Sequence, residues 1–283
     1  MTRRRRRWRV AAAAAVVVTA TTLVSINSVP ENMAVVEVAS ISKSTGESGL
    51  LRNDRTLERV SDQQIIRSGQ TIVTGSGSSL GLAWYGGGSL RVDENTTLRF
   101  LADDQIELQS GRVYYDSRSS IANGSSLVIH TDYGDVRHVG TQYMTDISET
   151  DLLRVSVREG QVAITGLYYE ALAGVGEQVV LHGDRAPLVT KLATHSAEWR
   201  WVETVAPTVD MEGKTFYDLL EWVCRETGLR YRFEDAAAEE AAHESLTGVE
   251  DGEPMVLLRV GAAAAQLTIE QVDGVIVISQ RGP

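Results

Sequence analysis

Cysteine is nearly absent from this sequence: Cys224 is the only one among 283 residues. A single cysteine cannot form an intrachain disulfide, and zinc sites built on cysteine clusters are excluded as well. Because free cysteine is among the most buried residue types, Cys224 is interpreted as a small apolar residue on a helix.

Acidic residues are absent from the first 30 positions, which instead carry arginine at 3–7 and at 9. The rest of the chain holds 21 basic and 38 acidic residues, a net charge of −17. Nucleic-acid binding needs a basic face to neutralise phosphates, so the main body is not expected to bind DNA or RNA.

Charged side chains are also missing from Val10 to Ile26, directly after the arginines. As a helix these 17 residues would measure roughly 25 Å, slightly less than a hydrocarbon core of ~30 Å. We predict a transmembrane signal anchor over 10–29, with 1–9 in the cytoplasm and the bulk of the chain exported. A cleaved signal peptide remains the alternative, and the arginines also satisfy a twin-arginine pattern, although trivially.

No sustained helical period occurs between residue 41 and about residue 192, where short apolar stretches alternate with turn residues. Glycine-rich turns lie at 75–77, 86–88, 123–124, 133–135, 159–160 and 174–176. The predicted strands are 70–74, 80–85, 89–92, 97–101, 106–108, 112–116, 127–131, 136–138, 142–147, 153–158, 162–165 and 177–181. We therefore predict a mainly β domain over 31–195, a sandwich, barrel or solenoid-like stack of short strands.

The pattern changes around 193–207, and a small α+β domain is predicted over 200–283. Apolar residues at 216, 219, 220, 223 and 224 mark one helix face, with Thr215 as N-cap and Gly228 as the stop. A strand at 229–233 and a short helix at 236–242 follow, and 255–265 is a second helix or a strand leading into one. A closing hairpin pairs 267–272 with 275–279 through Asp273-Gly274, which suits a type I′ turn.

Residues that could carry chemistry do not form a recognisable set. The five histidines (His130, His138, His182, His195 and His243) contain no HExxH pattern, and no serine lies in a GxSxG elbow. The acid pairs Asp93-Glu94 and Asp103-Asp104 sit beside turns and are interpreted as solvated. No catalytic, cofactor-binding or metal-binding residue is predicted, and the chain is not expected to be an enzyme.

Adjacent aromatic residues occur at 84–85, 114–115 and 168–169. In each pair we expect one ring in the core and the other at the surface. The alternative is a carbohydrate-binding platform of flat ring faces.

Four segments in order resemble the FecR family of bacterial regulators: 69–75 (GQTIVTG) with 79–82 (SLGL), 108–113 (LQSGRV), 138–143 (HVGTQY) and 157–162 (VREGQV). Their motif residues are interpreted as scaffold: Gly69, Thr74, Gly75, Gly111, Gly140, Thr141, Glu159 and Gly160. Gly140 and Gly160 are expected where strands turn, and Thr74 and Thr141 are expected to bond turn backbone. Residues 209–279 are similar to the short domain at the C-terminus of FecR-type proteins and at the N-terminus of secretins and TonB-dependent receptors.

The resemblance implies a single-pass protein of the bacterial inner membrane whose periplasmic bulk transmits a signal. The partner implied is an envelope protein such as the signalling domain of an outer-membrane receptor, and the family's output is control of a sigma factor through anti-sigma activity. A cytoplasmic tail of nine residues is too short to grip a sigma factor, so another chain would have to make that contact. The alternative function is a structural module that binds envelope polysaccharide or peptidoglycan.

Overall fold

The computed structural model describes residues 35–52, 56–117, 127–166, 168–246 and 252–281. The predicted arginine tail 1–9 and signal anchor 10–29 lie outside these residues. Among the residues that are described, no helix is both long enough and apolar enough to cross a membrane.

Strands dominate the first two-thirds of the chain, as predicted, and 16 of them join in one sheet within the described residues. They are β1 Glu37–Thr45, β2 Ser48–Leu51, β3 Leu57–Arg59, β4 Ile65–Arg67, β5 Thr71–Thr74, β6 Ser79–Trp84, β7 Ser89–Val92, β8 Thr97–Ala102, β9 Gln105–Ser110, β10 Arg112–Asp116, β11 Val128–Thr131, β12 Gly134–Asp146, β13 Leu152–Gly166, β14 Glu170–Gly174, β15 Glu177–His182 and β16 Leu188–Lys191. The order along the sheet is β3-β2-β5-β8-β9-β11-β12-β10-β7-β6-β1-β4. In addition, β13 pairs with β12, β14 and β15 both pair with β13, and β16 pairs with β15. A mainly β fold is therefore confirmed.

The sheet has two halves that share the long strand β12, and it curls there. One half runs from β3 to β11 in the strand order, and the other runs from β10 to β4. The first part of β12 pairs with β11 and its last part with β10, while β13 pairs along the whole of β12. Gly140, Gly160 and Gly176, one on or beside each of three neighbouring strands, have positive φ angles of 58°, 75° and 72°. The β12–β13 register shifts between Val139 and Gln142, which marks a bulge. We call this bent region around Gly140 and Gly160 the crease.

This bulge corrects the expected role of two glycines. Gly140 and Gly160 lie inside β12 and β13, so the predicted pairs of short strands 136–138 with 142–147, and 153–158 with 162–165, are each one continuous strand. A glycine signals positive φ in a bulge as readily as in a turn, which is why the sequence pattern did not distinguish them.

One apolar cluster fills the interior of the curled sheet. Its members come from both halves, for example Ile72 and Ile106 from one half and Leu82 and Leu90 from the other, and all four are fully buried. The two halves therefore face each other across a shared core in the manner of a sandwich.

The C-terminal part is a three-stranded sheet, β17 Arg230–Phe233, β19 Val275–Gln280 and β18 Leu267–Val272 in spatial order, packed against helices. The helices are α1 Arg200–Thr204, which follows a 3₁₀ turn at Ala197–Trp199, then α2 Phe216–Thr227, α3 Ala236–Ala242 and α4 Pro254–Ala264. A second apolar cluster, with no member in the large sheet, forms the interior of this part. The boundary at 195–200 between two domains remains a prediction, since residues 35–283 form one compact unit.

The ends of α2 follow the sequence prediction. The Thr215 hydroxyl accepts the backbone N–H of Asp218, and the Asp218 carboxylate accepts the backbone N–H of Thr215, which is a capping box. At the other end Gly228 adopts a left-handed φ of 69°. The closing hairpin is also confirmed: Asp273 and Gly274 have φ angles of 49° and 76°, and type I′ turns require both to be positive.

Candidate functional site

The site is built on two neighbouring rows of side chains that cross the outer face of the large sheet. Strand register places Gly81, Arg91, Tyr114, Met144 and Ser156 side by side on β6, β7, β10, β12 and β13. The second row contains Ser89, Asp116, Gln142 and Glu159; it lies two residues away along β7, β10 and β12, and three along β13 because of the bulge there. Neither row belongs to the interior cluster, so both face away from the core.

The end of α2 reaches these rows with Arg225 and Glu226. We call the group formed by Arg91, Asp116, Gln142, Arg158, Glu159, Arg225 and Glu226 the seam. It joins the outer face of the sheet to the C-terminal part through charged and polar groups.

Arg91 and Glu226 form the centre of the seam, and both side chains are completely buried. The Arg91 Nη2 donates to Glu226 Oε2 at 2.6 Å, and its Nη1 donates to the carbonyl of Val202 at 2.8 Å. A buried charge is tolerated only when an opposite charge and hydrogen bonds compensate it, so this pair fixes where α2 can lie.

Arg225 binds the second row. Its guanidinium is bidentate on the fully buried carboxylate of Asp116, with Nε to Oδ2 at 3.1 Å, and its Nη1 donates to Glu159 at 2.9 Å. Gln142 donates both to Asp116 and to the backbone carbonyl of Arg225. Because a planar fork matches two carboxylate oxygens, this contact specifies orientation as well as charge.

Arg158 closes the seam at the start of the C-terminal part. It donates to the carbonyls of Thr194 and Glu226, both at 2.8 Å, and its guanidinium lies 4.6 Å from the ring centre of Trp199. Burial lowers the pKa of Arg158 and raises the pKa of the neighbouring Tyr114 well above its ordinary value. Arginine nevertheless stays charged at any physiological pH, so the seam keeps its cations.

Gly228 allows the close approach of the two parts. A side-chain Cβ there would lie 2.1 Å from the carbonyl oxygen of Thr194 and 2.8 Å from the Nε of Arg158. The Thr194 hydroxyl in turn donates to the Gly228 carbonyl at 2.8 Å. Glycine is therefore required at this position for two reasons, the left-handed φ and the lack of space.

The FecR-like motif residues divide into two groups. Gly140, Thr141, Glu159 and Gly160 lie at the crease beside the seam, and Glu159 contacts Arg225 directly. Thr141 does not bond turn backbone through its side chain as expected: its hydroxyl is buried without a hydrogen-bond partner among the described residues, while its backbone N–H donates to Ser117.

The other motif residues, Gly69, Thr74, Gly75 and Gly111, organise turns on the sheet. The Thr74 hydroxyl bonds the backbone of Asp93 and Thr96, as expected for a residue that holds a turn. Gly111, at φ 86°, leaves room for Thr96, whose hydroxyl a Cβ would approach to 2.2 Å.

Asp93 corrects the interpretation of the acid pairs. Its side chain is buried and bonded to Arg112, with Nε to Oδ2 at 2.7 Å, whereas its neighbour Glu94 is exposed. Burial raises the pKa of Asp93 despite the arginine, because desolvation outweighs the opposite charge. Asp93 is therefore not a solvated turn residue, and it supports the turn that Thr74 holds.

The aromatic pairs follow the expected division only at 84–85, where Trp84 is buried and Tyr85 is half exposed. Tyr114 and Tyr115 are both buried, because Trp199 and Val202 cover the outer face of the sheet as well. Tyr168 and Tyr169 are both exposed.

An open cleft of ≈ 590 Å³ lies alongside the seam. Arg158, Glu159 and Arg225 line its sheet side, while Cys224 and Tyr231 belong to the C-terminal part. Cys224 is half-buried rather than a core residue, and burial raises the pKa of its thiol to about 12. No cluster of three or more potential metal ligands occurs among the residues that the structure describes.

The sequence patterns did not predict the seam, although two of its residues carry a signal. Glu226 lies seven residues after Leu219 and three after Val223, on the buried face of an amphipathic helix. Arg91 interrupts a strand in which every residue is buried. A charge at a position that the periodicity assigns to the interior indicates a buried partner.

Comparison with known proteins identifies one family. Residues 70–163, from the start of β5 to near the end of β13, match the model of the family described as FecR protein, which confirms the resemblance over these residues. A search of curated proteins found no match to this chain.

Two crystal structures, at 1.65 and 2.50 Å resolution, of "a putative anti-sigma factor" from Parabacteroides distasonis ATCC 8503 resemble the chain with a TM-score of 0.41 and 14% identity. Each alignment covers 75% of this chain and 99% of the other. At this TM-score the likeness supports no argument about fold or function.

Proposed function

We propose that this chain is a FecR-type regulatory protein that acts through binding to another protein and not through catalysis. The FecR match carries this proposal, because its 94 residues supply β7, β10, β12 and most of β13, the strands on which the seam is built. FecR-type proteins are regulators, so a role in signalling that reaches a sigma factor system is the function the match supports best.

The edge of the sheet offers a surface that suits a protein partner. Leu172 and Val175 lie on or beside β14, and Leu188 and Val189 lie on β16; each of the four is more than half exposed. An unpaired strand edge can add a strand from another chain, and exposed apolar side chains beside it can add to that contact. Both β14 and β16 also have only one strand neighbour among the described residues.

We further propose that the bulk of the chain lies in the periplasm, anchored in the inner membrane by 10–29. The arginines at 3–7 and 9 favour a cytoplasmic N-terminus. The partner would be an envelope protein such as the signalling domain of an outer-membrane receptor, and a separate chain would connect the signal to a sigma factor.

The test is co-purification of the full-length chain from native membranes after crosslinking in cells, with identification of the bound proteins. Residues 31–283, exported with a cleavable signal, serve as the comparison. Recovery of an envelope receptor or a cytoplasmic regulator supports the proposal. Recovery of no specific protein with either form contradicts it.

A hollow lined by tyrosine favours a second candidate, an envelope module that binds polysaccharide or peptidoglycan. Tyr133, Tyr168 and Tyr169 line a small hollow at the start of β14, and tyrosine rings stack on sugar faces. Purified protein should then sediment with peptidoglycan, and Tyr168→Ala should reduce the bound fraction while Tyr85→Ala, at an exposed ring elsewhere, does not. Absence of sedimentation removes this candidate.

A further inference from the structure

The apolar interiors of the two parts do not merge at the seam. The large sheet and the C-terminal part each have their own cluster of buried apolar residues, and the two clusters share no member. A third cluster beneath the seam contains four buried residues: Tyr114 and Met144 of the sheet, with Trp199 and Val202 of the segment that leads to α2. Each part can therefore keep its own core if the contact between them is lost.

Charged groups, in contrast, make most of the direct contacts between α2 and the sheet. Glu226 and Arg91 are completely removed from water, and Asp116 is fully buried under Arg225. Burying an ion pair costs hydration free energy, and the attraction between the two charges only about offsets that cost. Apolar residues of similar volume would stabilise the contact as well or better. On separation all of these groups regain water.

We propose that the seam is a latch: α2 and the rest of the C-terminal part detach from the outer face of the sheet and re-dock, while both apolar cores stay folded. The three ion pairs, Arg91–Glu226, Arg225–Asp116 and Arg225–Glu159, make docking specific in orientation without making it strong. Trp199 and Val202 stay on the sheet with Tyr114 and Met144, and Ala206 belongs to the C-terminal core, so the chain between Val202 and Ala206 acts as the tether. This inference rests on the geometry of the seam alone and does not depend on the proposed signalling function.

Cys224 provides a reporter, because it is the single thiol of the chain, lies next to Arg225 and lines the cleft. The sheet forms the other wall of the cleft, so detachment exposes Cys224 further and speeds its labelling, while its packing against the C-terminal core persists. The rate at which a thiol reagent such as dithionitrobenzoate labels Cys224 in the full-length protein therefore measures how often the latch opens.

The test compares this rate in three variants. Glu226→Gln leaves Arg91 buried against a neutral group, and labelling should be about a hundredfold faster than in the wild-type chain. Glu240→Gln, on the exposed face of α3, is the matched control and should not change the rate. Arg91→Met combined with Glu226→Leu replaces the ion pair by apolar contacts and should label no faster than wild type.

Hydrogen exchange distinguishes detachment from unfolding. The latch predicts that amides of the β18–β19 hairpin stay protected in Glu226→Gln at times when Cys224 is already labelled. If the hairpin amides lose protection together with labelling, or if the Glu226→Gln rate equals that of wild type, the latch is wrong. A double variant that labels as fast as Glu226→Gln would contradict it as well.

Discussion

The crease that curls the sheet predicts a large loss of stability when Gly160 is replaced by alanine. Gly160 has a φ of 75°, and an added Cβ would lie 2.2 Å from the carbonyl oxygen of Gly140 and 2.6 Å from the Cγ2 of Thr141. A left-handed backbone costs an alanine roughly 1–2 kcal/mol, and forcing atoms into a packed site typically adds about 1–3 kcal/mol. We expect Gly160→Ala to lower the free energy of unfolding by about 3 kcal/mol or more.

Gly69→Ala is the matched control for this prediction. Gly69 also has a positive φ, 85°, but nothing lies within 4 Å of an added Cβ. Only the backbone cost of roughly 1–2 kcal/mol should appear there. Equilibrium urea unfolding of both variants measures the difference, and a domain of this size should also lose about 2–4 °C in Tm per kcal/mol. Equal losses for the two variants would refute the close approach of β12 and β13 at the crease.

Three further predictions test the surroundings of the crease and the seam. Tyr115→Phe should cost about 1 kcal/mol of stability in thermal unfolding, because the Tyr115 hydroxyl donates to the Gly87 carbonyl at 2.8 Å. Tyr143→Phe is the control and should cost nothing, because the Tyr143 hydroxyl is buried without a hydrogen-bond partner among the described residues. Burial lowers the pKa of His138 below 6.5, so the unfolded chain binds more protons at this residue than the folded chain does. The free energy of unfolding should therefore fall as the pH drops below about 6.5. His138→Gln should flatten that part of the curve of stability against pH. A double-mutant cycle of Asp116→Ala with Arg225→Ala should give a coupling free energy of about 1.5–3 kcal/mol by urea unfolding, and a value near zero would contradict the bidentate contact.

Local sequence patterns were sufficient for the C-terminal part. The apolar spacing from Phe216, the Thr215 cap, the Gly228 stop and the Asp273-Gly274 turn all operate within one element or between adjacent ones. The predicted strands at 89–92 and 112–116 and the helix at 236–242 have the bounds that the structure shows. Such signals depend only on residues close together in the chain, so they can be recognised from a single sequence.

Six strands were missed, and all but one of them are short. β1, β2, β3, β4, β14 and β16 did not appear among the predicted strands, and the bulge at Gly140 was interpreted as a turn. These strands are defined by pairing with strands remote in sequence, and β-propensity depends strongly on that context. A bulge differs from a turn in that the chain continues along the same neighbouring strand, which the local sequence does not reveal.

The seam could not be predicted from the sequence because its contacts join residues that are even farther apart in the chain. Arg225 and Asp116 are 109 residues apart, and Arg91 and Glu226 are 135 residues apart. Their meeting depends on the register of five strands and on the place where α2 docks. The motif at 157–162 was recognised, but its contact with Arg225 through Glu159 required the three-dimensional arrangement.

The regulatory role is tested most directly by measuring transcripts in the native host. A strain that lacks this chain is compared with strains that carry the wild-type chain or a form without the arginines at 3–7 and 9. A regulatory protein should change a small set of transcripts on deletion, and the wild-type chain should restore them. If no transcript differs while cell-wall binding or envelope integrity changes, the protein is a structural module and the regulatory function is wrong.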